Sequence, residues 1–301
     1  MTVNNIFGNY LIGSNQNYSV SGLSKENDTG IFDPHWNNTP EDKETISLIA
    51  HRGYSSIAPE NTLPAFYLAA EKGFTTVECD ISWTKDNVPV ILHDSMINRT
   101  ARKTDGSGFI FPKYCQDCTY DELLKYDFGI WKGREYAGTK IPSFDELLQC
   151  SKETGLNLYV EIKNTSGFDK GKAQILVDAV KAAGLEDKVT WISFNSDYLK
   201  VLGGLMPESR LGLLSSGGVS EGTIKTLDSL KTDSNEVFLD INAGSMNSRG
   251  DYLLDVAGYP FETWTVDNVR DIDRFYSYEC SGITTNCITE SELQRYLDKK
   301  N

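Results

Sequence analysis

Histidine is scarce in this chain: there are three in 301 residues, His35, His51 and His93. Any reaction that needs an imidazole near neutral pH must draw on that short list. Long apolar runs are missing as well. No stretch approaches the ~18 residues of a membrane span, and the start, "MTVNNIFGNYLIGSNQNYSV", has neither a basic leading region nor an unbroken apolar one. The expectation is a soluble protein with no transmembrane segment, cytoplasmic as read and secreted if a signal peptide was trimmed. Positive charge is in deficit, with 29 Lys and Arg against 43 Asp and Glu for a net −14. That balance repels polyanions and excludes a nucleic-acid partner, so any phosphate must be held locally. There is no P-loop and no GxSxG, and "SSGGVSEG" at 215–222 lacks the lysine and glycine spacing of a phosphate cradle, so it is expected to be a strand-to-helix turn. The six cysteines are scattered through a chain too large to need staples and are expected to be free thiols. Cys115 and Cys118 form a lone CxxC; with no second pair and no histidine nearby, half a zinc site is all it offers.

What is present is an ordinary globular composition, 39% hydrophobic and 11% aromatic, enough for one large core. Residues 1–45 are rich in Asn, Gly and Ser without sustained periodicity, and are set apart as an N-terminal extension. It is expected to pack on the domain, to pair as a hairpin through "NYLIGSNQNYSV", or to attach to a partner such as a cell wall or a particle. From residue 46 to 301, short β-branched runs alternate with segments of helical period. The runs are "SLIAH", "TVECDIS", "VPVILHD", "LNLYVEI", "KVTWISF", "RLGLLS", "EVFLDI", "FETWTV" and "SGITT", nine in all and one more than a (β/α)8 barrel uses. Between the second and third lies only "WTKDNV", too short for a parallel crossover, so these two must form an antiparallel hairpin turning at Asp86 and Asn87. The rest predict an α/β fold, a TIM barrel, with helices such as "PAFYLAAEKG" and "SFDELLQCSKETG" stopping at glycine. The stretch from Ile97 to Ile141 is too long for a connection and is expected to be an excursion over the C-terminal mouth.

Catalytic groups of such a barrel gather at the C-terminal strand ends. There the first strand presents His51 and Arg52, the second Glu78 and Asp80, the next parallel strand Glu161 and Lys163, and later strands Trp264 and Thr284 to Asn286. Glu78 and Asp80 are two apart and share a face, so one must hold its proton unless a cation intervenes. Three hard oxygen donors suit one divalent cation, Mg²⁺ or Ca²⁺; the alternative is an ion-pair network in which Lys163 or Arg52 neutralises the acids. The hairpin brings His93 nearly opposite Glu78 and Asp80. Two histidines beside a metal, with Arg52 and Lys163 to neutralise phosphate oxygens, are suited to phosphoryl transfer by general acid and base.

In order, "HRGYSSIAPENTLPAF", "VECDISWTKDNVPVILHD", "VEIK" and "TWTV" resemble the signatures of the glycerophosphodiester phosphodiesterase family, over residues from about 47 to the C-terminus. The resemblance implies a TIM barrel, a divalent cation, and hydrolysis of a small-molecule glycerophosphodiester to glycerol 3-phosphate and an alcohol, with the substrate's neighbouring hydroxyl as nucleophile. It implies His51 and His93 as acid and base, Arg52 and Lys163 on the phosphate, Trp264 near the glycerol, and Glu78, Asp80 and Glu161 on the metal. Glu60 matches the acid of the "PENT" block and is expected to hold Arg52; Thr62 is expected to cap a helix beginning near Leu63. One departure stands out: the last block reads "SGITTNCI", with Asn286 where the family commonly has an acid. Kindred readings are a hydrolase of polymeric glycerol phosphate such as teichoic acid, and a lyase like the spider-venom sphingomyelinase D enzymes. A catalytically dead binding module would have lost a core residue, and every one is present.

Overall fold

All nine expected strands form. The computed structural model describes residues 46–163 and 167–300; the proposed extension at 1–45, with its candidate hairpin and His35, lies outside the described residues. The strands are β1 (Ser47–Ala50), β2 (Thr76–Trp83), β3 (Pro89–Ile91), β4 (Asn157–Ile162), β5 (Val189–Ser193), β6 (Arg210–Ser215), β7 (Glu236–Asn242), β8 (Phe261–Trp264) and β9 (Gly282–Thr285). Their order is β1-β9-β8-β7-β6-β5-β4-β2, closed by a β1–β2 pairing. These eight are parallel, and β3 alone is antiparallel, on β2. The fold is a (β/α)8 TIM barrel with one inserted hairpin.

Alternation along each strand decides which side chains enter the barrel. On β2, Val77, Cys79 and Ile81 belong to the outer core under the helices, so Glu78 and Asp80 face inward. On β4 the outward set is Leu158, Val160 and Ile162, leaving Tyr159 and Glu161 inside. Ile49 lies in the inner cluster with Tyr159, Ile192, Leu214 and Phe238, so His51, two residues on, points the same way. Gly212 on β6 is required by this filling, because a Cβ there would lie 2.4 Å from the Phe238 ring and 2.8 Å from Ile192.

The hairpin turns at Lys85 and Asp86, one residue earlier than the spacing suggests. Asn87 N–H bonds the Thr84 carbonyl at 3.0 Å, and Asn87 takes the left-handed conformation, φ 59°. Asp86 is occupied: its carboxylate accepts the Thr84 hydroxyl (2.6 Å) and the Tyr120 N–H (3.0 Å). Residues 97–141 form a small apolar cluster with the hairpin, in which Val90, Leu92 and Ile97 meet Cys115, Cys118, Leu123 and Phe128. Both CxxC thiols are free and buried there, and burial lifts Cys115 to about 12. Among the described residues, no helix is long and apolar enough to cross a membrane.

Candidate active site

The chain leaves β1 through a tight turn in which Arg52 (φ 57°) and Gly53 (φ 77°) are both left-handed. Gly53 is obligatory, since a Cβ would sit 2.7 Å from the Ala65 carbonyl carbon. The turn aims the Arg52 N–H at Glu78 Oε2 (3.0 Å) and its guanidinium at Glu60 Oε1 (2.7 Å), with Nε 3.4 Å from Asp80. Glu60 therefore holds Arg52, as expected. Asn61, also left-handed at φ 56°, donates to Asp80 Oδ2 at 2.7 Å, a contact the sequence reading missed. Thr62 occupies the N-cap of the helix Leu63–Glu71 without capping it by its side chain. Pro64 has no N–H to offer at the second position, Ala65 N–H bonds the Thr62 carbonyl instead, and the Thr62 hydroxyl donates to the Pro59 carbonyl (2.6 Å).

Glu78, Asp80 and Glu161 are buried, with ligand oxygens all within 4.8 Å of one another. Asp80 and Glu161 are direct neighbours in the β2–β4 register. Lys163 extends from the end of β4 to bond both, at 2.7 Å each. Burial works to raise Asp80, but Lys163 and then Arg52 overcome it and hold this acid well below the usual range. Glu78 is pushed far up by burial and then by the Asp80 charge, and Glu161 to about 7 by the same two causes. Lys163 and Arg52 thus neutralise one acid and leave two carboxyls without full compensation. Such a donor set fits a hard divalent cation: all its atoms are carboxylate oxygens, and a further positive charge is what the Glu78 and Glu161 carboxyls lack.

His93 arrives by the other edge of β2. With β4 occupying one edge, β1 pairs with the opposite edge at Thr76 and Val77, and β3 takes that same edge at Ile81 to Trp83. The returning chain therefore descends toward the end of β1, Leu92 N–H bonding the Asp80 carbonyl at 2.9 Å. His93 lies two residues beyond the end of β3 rather than on it. His51 and His93 line one cavity of about 290 Å³, together with Arg52, Glu78, Glu161 and Lys163 on the charged side and Ile192, Phe194, Leu214 and Trp264 on the apolar side. A larger groove of about 870 Å³, lined by Tyr54, Arg270, Arg295 and Tyr296, contains none of these acids or histidines.

Each imidazole is oriented through Nδ1. Asn286 Nδ2 donates to Asp267 at 2.6 Å, so its Oδ1 faces His51 Nδ1 at 2.8 Å and can only accept. The proton is on Nδ1, and bare Nε2 points toward the cavity, 3.8 Å from Glu78. Burial, with the adjacent Arg52 charge, pulls His51 below the ordinary histidine value. His93 Nδ1 bonds Asp94 (2.7 Å), and Arg99 joins Asp94 (2.6 Å) to Glu60 (2.6 and 2.8 Å). A continuous chain Arg52–Glu60–Arg99–Asp94–His93 thus ties the β1 turn to the hairpin. Trp264 stands edge-on to Phe194, ring centres 5.8 Å apart. Asp94, Arg99, Asp267 and Phe194 were not singled out in the sequence; only the adjacency of Asp94 to His93 hinted at one of them.

This geometry places the protein among (β/α)8-barrel enzymes that act on phosphodiesters. Residues 51–290 match the model of the Glycerophosphoryl diester phosphodiesterase family, and the chain belongs to that family. It is 30% identical over 239 residues to a glycerophosphodiester phosphodiesterase of Caldanaerobacter subterraneus subsp. tengcongensis, covering 79% of this chain and 93% of that one. A phosphodiesterase of Oleispira antarctica, solved in complex with the product sn-glycerol-3-phosphate, superposes with a TM-score of 0.74 at 27% identity, over 84% of this chain and 96% of the other. A glycerophosphodiester phosphodiesterase from Parabacteroides distasonis gives a TM-score of 0.66 at 28% identity, over 86% and 99%.

Proposed function

We propose that the protein hydrolyses glycerophosphodiesters to glycerol 3-phosphate and an alcohol, with one divalent cation, Mg²⁺ or Ca²⁺, held by Glu78, Asp80 and Glu161. The carrying observation is that two oriented histidines, from the end of β1 and from beyond β3, open onto the same cavity as the three acids. When bound, the cation would supply positive charge for the phosphate oxygens as the negative charge on them grows. Arg52 and Lys163 add to that charge from the cavity wall. His51, with a bare Nε2 beside a neutral amide partner, takes the proton from the attacking hydroxyl, and His93, backed by the Asp94 carboxylate, delivers one to the leaving alkoxide. An attack by the substrate's own neighbouring hydroxyl releases the alcohol and forms a cyclic phosphate, which water then opens to glycerol 3-phosphate; the first step gains from proximity that a free water lacks. Trp264 and Phe194 give the organic part an apolar wall and keep water off that side.

Release of glycerol 3-phosphate from glycerophosphocholine, with Mg²⁺ or Ca²⁺ and with chelator, tests the reading. Turnover is expected with metal and not with chelator, and His51→Ala or His93→Ala should each lower kcat by about 10²–10⁴-fold. Absence of product under all metal conditions, or full turnover by His51→Ala, would refute it.

A further inference from the structure

Two inward acids of the barrel, Asp240 and Glu262, have no part in this chemistry, and each has a buried oxygen without a partner, but only Asp240 lines the cavity. Asp240 sits two residues after Phe238 on β7, so it faces the barrel interior, and it is 2% exposed. Its Oδ1 is fully enclosed and has no hydrogen-bond partner, yet Asp240 lines the cavity that holds the two histidines. The neighbouring inward acid, Glu262, is engaged through Oε1 by the Tyr159 hydroxyl and Arg210, both at 2.9 Å, and Arg210 is further shared with Glu236. Arg210 is thus committed to Tyr159, Glu262 and Glu236 and acts on Asp240 only as a nearby charge, and among the described residues none hydrogen-bonds Asp240 Oδ1. A buried polar atom without a partner is costly, and in a ligand pocket the natural partner is the ligand.

Position narrows the choice of ligand atom. Around the closed ring, β7 is four strands from β2 in either direction, so Asp240 lies across the barrel from Glu78 and Asp80. Its neighbours are on the apolar side: it is in register with Leu214, and its backbone carbonyl accepts the Trp264 indole N–H at 3.1 Å. A phosphate drawn to the charged side would leave the organic part of the diester facing Leu214, Trp264 and Asp240. Building on the function proposed above, we propose that Asp240 is a specificity-determining residue whose carboxyl pairs with the glycerol hydroxyl remote from the phosphate. A fixed, buried partner suits the constant glycerol half, not the alcohol, which varies. Burial, and next the charge of Glu262, push the Asp240 acid well up, which favours the protonated form, able both to donate to and to accept from a hydroxyl.

The test compares sn-glycero-3-phosphocholine with its 1-deoxy analogue, which retains the hydroxyl next to the phosphate. In the metal-supplemented wild type, kcat/KM is expected to fall about 100-fold or more on deoxygenation, because a site built around a hydroxyl rejects a ligand lacking it. Asp240→Leu should turn over the two at nearly equal rates, whereas Asp240→Asn, which still offers a donor and an acceptor, should keep most of the discrimination. Equal turnover of both substrates by the wild type overturns the assignment without any variant, as does undiminished discrimination by a folded Asp240→Leu protein. If the wild type releases no glycerol 3-phosphate from the parent diester, the hydrolase reading fails, and this assignment falls with it.

Discussion

At the scale of single residues, Asn286 separates a carboxylate from a histidine. Asp267 receives the Asn286 backbone N–H (2.7 Å) and side-chain amide (2.6 Å) as well as the Thr285 hydroxyl (3.1 Å), so the amide cannot rotate without breaking bonds. Its oxygen can then hold the His51 ring in only one tautomer. Removing the amide frees the ring while leaving the acids untouched. Asn286→Ala is accordingly expected to lower kcat by about 10–100-fold with little change in KM, and ¹⁵N NMR of His51 should report a mixture of tautomers in place of one. An unchanged kcat with a single tautomer would refute this role. The substitution of an amide for the family's usual acid puts the negative charge one residue further from the imidazole, on Asp267, without removing it from the site.

At the scale of elements, two short pieces of chain matter more than any helix. One is the turn after β1, where left-handed Arg52 and Gly53 deliver a backbone N–H to Glu78. Gly53→Ala would combine a strained φ with overlap against the Ala65 backbone, and is expected to cost about 2–3 kcal/mol in urea denaturation and to reduce activity, because the Arg52 N–H would be displaced. The other is the hairpin, whose length determines where His93 comes to rest. Its existence was legible because a six-residue gap forbids a parallel crossover. Its turn was off by one, since the Asp86 side chain is committed to Thr84 and to Tyr120, and Tyr120 is 34 residues ahead. The missed cap at Thr62 has a local origin: Pro64 has no N–H at the second position and the Ala65 N–H goes to the Thr62 carbonyl, so no donor is left for a capping hydroxyl.

For the whole molecule, barrel and acid triad could be read from strand count and spacing because both follow the local period-two rule. Arg99 and Asp267 could not, because their importance depends on which loops meet across the mouth, and no local pattern encodes that. The same three acids couple the site to the stability of the whole fold. Glu78 and Glu161 are raised by burial and by Asp80, so a cation should stabilise the native state by about 2.7 kcal/mol at a hundredfold excess over its Kd. Melting curves should rise with Mg²⁺ or Ca²⁺ and return with chelator, and Glu161→Gln should blunt the rise; curves that superpose would count against a bound cation. Arg102 and Asp127 exchange two backbone hydrogen bonds, N–H to carbonyl in each direction at 2.7 and 2.9 Å, pinching the excursion shut just after Arg99. The loop beyond the clamp still braces the root that carries His93, Asp94 and Arg99: Cys115 N–H bonds the Ser95 carbonyl and Ile97 N–H the Lys113 carbonyl, both at 2.9 Å. Cys115, Cys118 and Leu123 are packed against the hairpin and are fixed by it, so the sequence that can drift without disturbing the alignment of His93 is the exposed tip at 103–108.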